Sequence, residues 1–291
     1  MTVTTPDLTA TQRAAIADSG WGYAPKLVKP RNFSFWVIAF LLFLGGSALY
    51  LDTLVAIGAY QTEIVQGVAY FAVFGALILW IILRMDRFSK IPARVKVLVI
   101  FIGGLVSTFA MSLPYNDAFL VIWSKTQTSA FVLDWGAGAT APHSEEISKM
   151  IPLILMIGLV PRVVRCAFDG LIIGMLSGAA FQIFEDVKYV WEGVDSSFGD
   201  SAAGVQTMFT RTGFGFTGHW MWSGVVGAGL IYLIGRPAEK RNVGLGAALI
   251  AAPMVIHGVT VRQPANSGVV HAFQVNNIDC SRPVYVPGLS G

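Results

Sequence analysis

Long apolar stretches separated by short polar segments run along the chain from residue 33 onward. A transmembrane helix needs roughly 17 to 25 mostly apolar residues. Seven candidate stretches lie at about 33–50, 64–84, 95–114, 146–161, 166–184, 214–235 and 244–261, and the fourth of them is short. The stretch 118–133 contains Lys125 and is too short and polar to cross, so we expect it to be interfacial or re-entrant. The pattern predicts an all-α, polytopic transmembrane helix bundle with about seven spans.

The composition agrees with a surface that faces lipid. The chain has 291 residues, of which 54% are hydrophobic and only 13% are charged, and its mean hydropathy is +0.63. A water-soluble domain carries roughly a quarter of its residues as charged side chains. We therefore expect a multi-pass protein of the cell membrane, with the lipid bilayer as its surroundings. The net charge of +3 is small, so no nucleic-acid partner is expected.

The charges of the connecting segments alternate along the chain. Basic residues concentrate in the N-terminal tail and after the second, fourth and sixth predicted spans, as in Lys29, Arg94, Arg165 and Arg236. The intervening segments 51–63, 115–144 and 185–213 are mainly acidic, and their only Lys or Arg residues are Lys125, Lys188 and Arg211. Because positive charge is retained on the cytoplasmic side, the N-terminus is expected to be cytoplasmic.

These patterns divide the chain into five predicted segments. They are a cytoplasmic polar tail (1–32), a three-span unit (33–114), an extracytoplasmic or re-entrant segment (115–144), a four-span core (145–261) and an atypical polar tail (262–291).

Six ionisable residues lie inside or at the edges of the predicted spans of the core. They are Glu145, Glu146, Lys149, Glu185, His219 and His257. A charge in hydrocarbon is costly unless it is paired or lines a wet cavity, so such residues are candidates for a functional site. Taken singly, each has a structural explanation, such as acidic residues at a helix start or a histidine in a packed core. The predicted orientation places all six near the outer face, however, and their combination favours one shared site.

Helix periodicity brings some of these residues together. Gly170, Gly174 and Gly178 recur every four residues and share one stripe of their helix with Glu185. Small residues at this spacing let a neighbouring helix approach closely, so Glu185 is expected to face protein. Lys149 follows the two glutamates of its helix by three and four residues, which places it within side-chain reach of both.

At these residues the chain resembles the PrsW-type intramembrane protease family, which is related to the CAAX prenyl endopeptidases. The family motif Glu-Glu-x-x-Lys matches Glu145-Glu146-Ile147-Ser148-Lys149. A Gly-rich helix that begins with Asp-Gly and closes on Phe-x-x-x-Glu matches Asp169-Gly170 through Phe181-Gln182-Ile183-Phe184-Glu185. Single histidines in the two following spans match His219 and His257. The resemblance covers about residues 140–260.

The resemblance implies an intramembrane endopeptidase that hydrolyses a membrane-anchored protein near the extracytoplasmic face, with an anti-sigma factor as a candidate substrate. Either Glu145 or Glu146 would activate water, with Lys149 as the electrostatic partner. The candidate metal ligands are Glu146, Glu185, His219 and His257, which would suit zinc. Glu185, His219 and His257 would otherwise act as catalytic residues that stabilise the intermediate. Use of a metal stays open at this point because the chain has no His-Glu-x-x-His pair.

One departure from the family pattern leaves alternatives open. The family places a polar or acidic residue about four positions after the last histidine, and this chain has Val261 there. Beyond it, the polar segment 262–291 has no apolar period and indicates either a disrupted reading frame or true divergence. A catalytically inactive protein that binds a partner in the membrane is therefore an alternative. An ion- or proton-coupled transporter is another, although no repeat of the type common in transporters is evident.

Overall fold

The computed structural model describes residues 9–19 and 23–262, and these residues form helices joined by short turns. The helices are α1 (Ala10–Ser19), α2 (Phe33–Asp86), α3 (Ala93–Phe101), α4 (Leu113–Thr126), α5 (Ser129–Leu159), α6 (Ala167–Ser196), α7 (Ser201–Gly215), α8 (His219–Ile234) and α9 (Val243–Thr260). A π-helical segment, Ile102–Ser112, joins α3 to α4. The all-α prediction is confirmed. The predicted tail lies outside the described residues from position 263 onward.

Four helical segments among the described residues are long and apolar enough to cross a membrane. They are Phe33–Asp86, Ala93–Thr126, Ala167–Ser196 and Val243–Thr260. Large apolar side chains on their outer faces are exposed, among them Phe43 and Trp80 on α2, as expected for a surface in contact with lipid. The count of seven spans stays a prediction.

Helix α2 folds back on itself at Tyr60, whose backbone is non-helical (φ −126°, ψ 30°). A straight helix of its 54 residues would be about 81 Å long, yet both of its ends lie beside the α5–α6 connection. The Asn32 side chain donates to the carbonyl of Gly158 at 3.1 Å, and Arg165 donates to the carbonyl of Ser89 at 2.6 Å. The predicted loop 51–63 is therefore helical except at Tyr60, and the reversal needs a single residue.

Other predicted connections are also largely helical. The segment 115–144 is helical except at Gln127 and Thr128, so Glu145 lies in the middle of α5 rather than at its beginning. Helix α6 likewise continues beyond Glu185 to Ser196. The helices extend beyond the predicted apolar spans because hydropathy marks where a helix is apolar, whereas backbone hydrogen bonding continues through polar residues that neighbouring helices cover.

The α5–α6 and α8–α9 connections meet at one end of the bundle. The backbone N–H of Ala238 donates to the carbonyl of Arg165 at 3.0 Å, and Arg236 Nε donates to the carbonyl of Val164 at 2.8 Å. Arg165 also pairs with the buried Asp169 at 3.1 Å, and that hydrogen bond raises the pKa of Arg165. The Lys29 amine donates to the last carbonyl of α5 at 2.6 Å. We call this end of the bundle the basic face.

The π-helical segment packs against the part of α5 that carries the two adjacent glutamates. Ser107 Oγ donates to the carbonyl of Ser148 at 2.8 Å, and the hydroxyls of Ser112 and Ser148 are 2.7 Å apart. On its other side, Gly103 lies directly against the backbone of Ser177 in α6. Short π-helical segments often occur near functional sites, and this one links the two helices that supply most of the ionisable residues.

Candidate functional site

The predicted glycine stripe of α6 is the surface on which α8 packs. A Cβ atom added to Gly174 would lie 2.1 Å from the carbonyl oxygen of Ser223, and one added to Gly178 would lie 2.5 Å from that of His219. Both distances are far below any normal contact, so only glycine permits this approach of the two backbones. The packing holds the His219 ring 5.2 Å from the ring of Phe181, between centroids.

The six predicted residues are all buried, with at most 8% of each residue exposed, and Lys149 lies at the centre of the group. Its Nζ is 2.8 Å from Glu146 Oε1, 2.8 Å from His219 Nδ1 and 3.5 Å from Glu145 Oε2. The same amine lies 4.4 Å from the centroid of the Phe181 ring. Groups from α5, α6 and α8 therefore surround one buried cation.

The two histidines approach the glutamates from two different helices, α8 and α9. His257 Nδ1 is 3.1 Å from Glu146 Oε1, and its Nε2 is 3.6 Å from Glu145 Oε2. His219 Nδ1 is 3.7 Å from the same Glu145 oxygen, and its Nε2 is 3.3 Å from Glu185 Oε2. Glu145 Oε2 thus faces both imidazoles at distances too long for direct hydrogen bonds. A water molecule or a cation shared by these groups fits such spacing.

Three of these residues form a group able to hold a metal ion. Glu145, His219 and His257 each offer one ligand atom, and these atoms lie within 4.8 Å of one another. Two imidazole nitrogens and a carboxylate oxygen match the donor set of many catalytic zinc sites, so the residues present fit zinc. The group contains Glu145 where the sequence predicted Glu146, and Glu146 is instead in contact with Lys149 and His257. Glu185 as a ligand stays a prediction.

The site forms a layer at one depth in the bundle. Fourteen residues separate Glu145 from the end of α5 at Leu159, and fourteen separate His257 from the start of α9 at Val243. His219 begins α8, fifteen residues before Ile234. At 1.5 Å per residue these groups lie roughly 21 to 23 Å from the basic face.

Several residues that contact this layer were missed by sequence reasoning. Asn116 Nδ2 of α4 is 3.4 Å from Glu145 Oε1, Ser223 Oγ is 3.5 Å from Glu146 Oε2, and Arg211 of α7 pairs with Glu185. The Trp222 ring lies 5.1 Å from that of His257, between centroids. Of these residues, Arg211 could have been noticed in the sequence, because it is the one charged residue of α7.

The fold and the site define a class of protein: a helical membrane protein whose buried carboxylates, imidazoles and amine form a centre suited to activating water. A family model described as PrsW family intramembrane metalloprotease matches residues 91–260, which is more than half of the chain. The chain belongs to this family, and the resemblance found in the sequence is confirmed. No curated protein matches the chain, and no solved structure matches it.

Proposed function

We propose that this chain is an intramembrane endopeptidase that cuts a membrane-anchored protein near the extracytoplasmic side of the bilayer. The observation that carries the proposal is the convergence of two carboxylates and two imidazoles around the buried amine of Lys149. Ionisable groups from separate helices are costly to bury together, and hydrolysis of a peptide bond within the membrane requires such groups.

The depth of the layer supports the extracytoplasmic side. The hydrocarbon core of a bilayer is about 30 Å thick, and the layer lies roughly 21 to 23 Å from the basic face. If that face is cytoplasmic, as the distribution of Lys and Arg indicates, the site lies in the outer leaflet. Water then has a short path to it from outside.

Glu145 is the proposed general base. It takes a proton from water, the resulting hydroxide attacks the carbonyl carbon, and the proton passes to the nitrogen of the leaving amine as the C–N bond breaks. Its Oε2 is the oxygen that faces Lys149 and both imidazoles, at 3.5 to 3.7 Å, so a water molecule between them can donate to the Glu145 carboxylate and accept from the Lys149 amine. The amine of Lys149 is suited to stabilising the oxyanion.

Glu146 and Glu185 are the proposed positioning residues. Glu146 accepts from Lys149 and contacts His257 Nδ1, which leaves His257 Nε2 directed at Glu145. A carboxylate that fixes one imidazole nitrogen determines which tautomer the ring adopts and where its other nitrogen points. Glu185 does the same for the ring of His219.

Glu145, His219 and His257 are also the residues that would hold a metal ion. A zinc ion bound there would lower the pKa of its bound water toward neutrality. With Glu145 engaged as a ligand, Glu146 would be the carboxylate that accepts the proton. Removal of metal by a chelator then abolishes cleavage, and metal content falls in His257→Ala protein as measured by mass spectrometry.

The substrate class follows from the family and the location of the site: a protein anchored by a transmembrane helix. An anti-sigma factor is one candidate from the family resemblance. The two rival functions make different predictions, since an inactive relative binds a partner without cutting it and a transporter moves a solute in liposomes without any new peptide terminus.

The test is to compare new peptide termini in membranes of cells that express the wild-type chain, Glu145→Gln or Glu146→Gln. We expect termini within transmembrane segments that are absent, or reduced at least about 100-fold, with Glu145→Gln, because general-base groups contribute 10²- to 10⁴-fold. Lys188→Gln is the matched control, since it removes a charged side chain of α6 whose ion pairs are with Asp52 and Glu192 and not with the six site residues. Equal termini in wild type and Glu145→Gln would contradict the proposal.

A further inference from the structure

Arg211 reaches from α7 to two adjacent carboxylates of α6. Its Nη2 is 2.5 Å from Glu185 Oε2, and its Nε is 2.5 Å from Asp186 Oδ1. The guanidinium carbon also lies 4.4 Å from the centroid of the Tyr189 ring. A planar guanidinium bound to two carboxylates and stacked on an aromatic ring has little freedom to move, so Arg211 fixes the position of the Glu185 carboxylate.

The Glu185 oxygen that Arg211 contacts is the same one that His219 contacts. Glu185 Oε2 is 3.3 Å from His219 Nε2, and the other ring nitrogen, Nδ1, is 2.8 Å from Lys149 Nζ. Glu185 Oε2 therefore contacts both the Arg211 guanidinium and the His219 imidazole, so the position of Arg211 affects the position of the imidazole ring. The orientation of His219 Nδ1, which faces Lys149 and Glu145, depends on this arrangement.

Helix α7 is held on both sides of Arg211. Near its beginning, a Cβ atom added to Gly204 would lie 2.9 Å from the side chain of Val194, so α7 lies against α6 there. Near its end, Gln182 Nε2 donates to the carbonyl of Gly215 at 3.2 Å. These contacts fix the backbone from which Arg211 extends.

We propose that Arg211 is a positioning residue of the site: it holds the Glu185 carboxylate against His219 Nε2 and so keeps His219 Nδ1 directed at Lys149 and Glu145. The kinetic part of this inference rests on the proposed protease function. The structural part, the control of the His219 ring by Arg211 through Glu185, does not.

The design of the variant must allow for Asp186. Its Oδ1 pairs with Arg211, whereas its Oδ2 has no hydrogen-bond partner in the described part of the chain. Removing Arg211 alone would leave this buried carboxylate uncompensated, which costs stability and endangers folding. Arg211→Gln is therefore made in the Asp186→Asn background and compared with Asp186→Asn alone.

The kinetic test uses the substrate found by the comparison of peptide termini. Arg211→Gln/Asp186→Asn is expected to lower kcat about 10- to 100-fold relative to Asp186→Asn, with KM within about two-fold, because misplacement of a catalytic group acts mainly on the chemical step. Adding Glu185→Gln should cause no further loss of kcat, since both changes remove the same set of contacts from Arg211 through Glu185 to His219. Lys188→Gln breaks the ion pairs that Lys188 of α6 makes with Asp52 and Glu192, and it should leave both kcat and KM unchanged.

A second readout does not depend on cleavage. The chain has four histidines, so the ¹⁵N spectrum of histidine-labelled protein is simple, and His219→Gln identifies the His219 signals. We expect Arg211→Gln/Asp186→Asn to shift those signals, as a change of tautomer or hydrogen bonding would, and Arg211→Lys to shift them less. If the wild-type chain cuts nothing while the shift is observed, the proposed function fails and the role of Arg211 stands.

Two results would overturn the inference. Unchanged His219 signals would show that the ring does not depend on Arg211. Fully additive losses from Arg211→Gln and Glu185→Gln would show that the two residues act separately.

Discussion

Lys149 is a fully buried amine whose neighbours on α5 are two glutamates. Lys149→Met should destabilise the protein by about 3 to 5 kcal/mol, because removing one partner of a buried ion pair leaves the other uncompensated. Glu146→Gln/Lys149→Met should recover part of that loss, since it also removes the carboxylate nearest to the amine. Thermal unfolding of the purified variants in detergent measures both effects. A double variant no more stable than Lys149→Met would contradict this account of the pair.

Contacts between side chains of the same helix could be predicted from their spacing in the sequence. Contacts between different helices were harder to predict. The reach of Lys149 to both glutamates follows from positions three and four apart, and the structure shows both contacts. The approach of Asn116 to Glu145 depends on the path of α4, which hydropathy placed in a polar connection. No local pattern relates Arg211 to Glu185, because twenty-six positions and a helix reversal separate them.

The close contact of α6 and α8 depends on glycine. Gly174→Ala should lower both thermal stability and any cleavage, because the new methyl group would meet the carbonyl oxygen of Ser223 and push His219 away from Lys149. Gly46→Ala is the matched control, since a Cβ atom there has no neighbour within 4 Å and alanine favours a helix. Melting temperatures of the two variants provide the measurement. A Gly174→Ala protein as stable as Gly46→Ala would show that the helices can separate without cost.

The sequence predicted which segments are helical and which helix face is packed more reliably than it predicted where each helix begins and ends. The stripe of Gly170, Gly174 and Gly178 identified the packed face of α6 because helix period determines which residues share a face. Helices α5 and α6 extend beyond their predicted apolar spans, since the residues beyond the apolar stretch remain helical when other helices cover them. The sequence pattern did not predict the π-helical segment, in which Gly103 packs against α6 and Ser107 donates to α5.

The orientation of the whole molecule can be tested at its two ends. Phe198 in the α6–α7 connection is 99% exposed, and Lys240 is an exposed residue of the α8–α9 connection at the basic face. With Cys166 and Cys280 replaced by serine, Phe198→Cys should react with a membrane-impermeant maleimide on intact cells, and Lys240→Cys only after the cells are opened. The reverse pattern would place the site in the cytoplasmic leaflet and contradict the positive-inside assignment.

The level of the reactive layer has a consequence for the products of cleavage. A target helix that lies beside α9 and enters from the basic face would meet the centre after about as many residues as separate Val243 from His257, which is fourteen. Roughly 20 apolar residues are needed to cross the hydrocarbon, so the fragment on the side of the basic face would keep a stub too short to span. Such a stub anchors its domain weakly, and one cut would loosen that domain's attachment to the membrane.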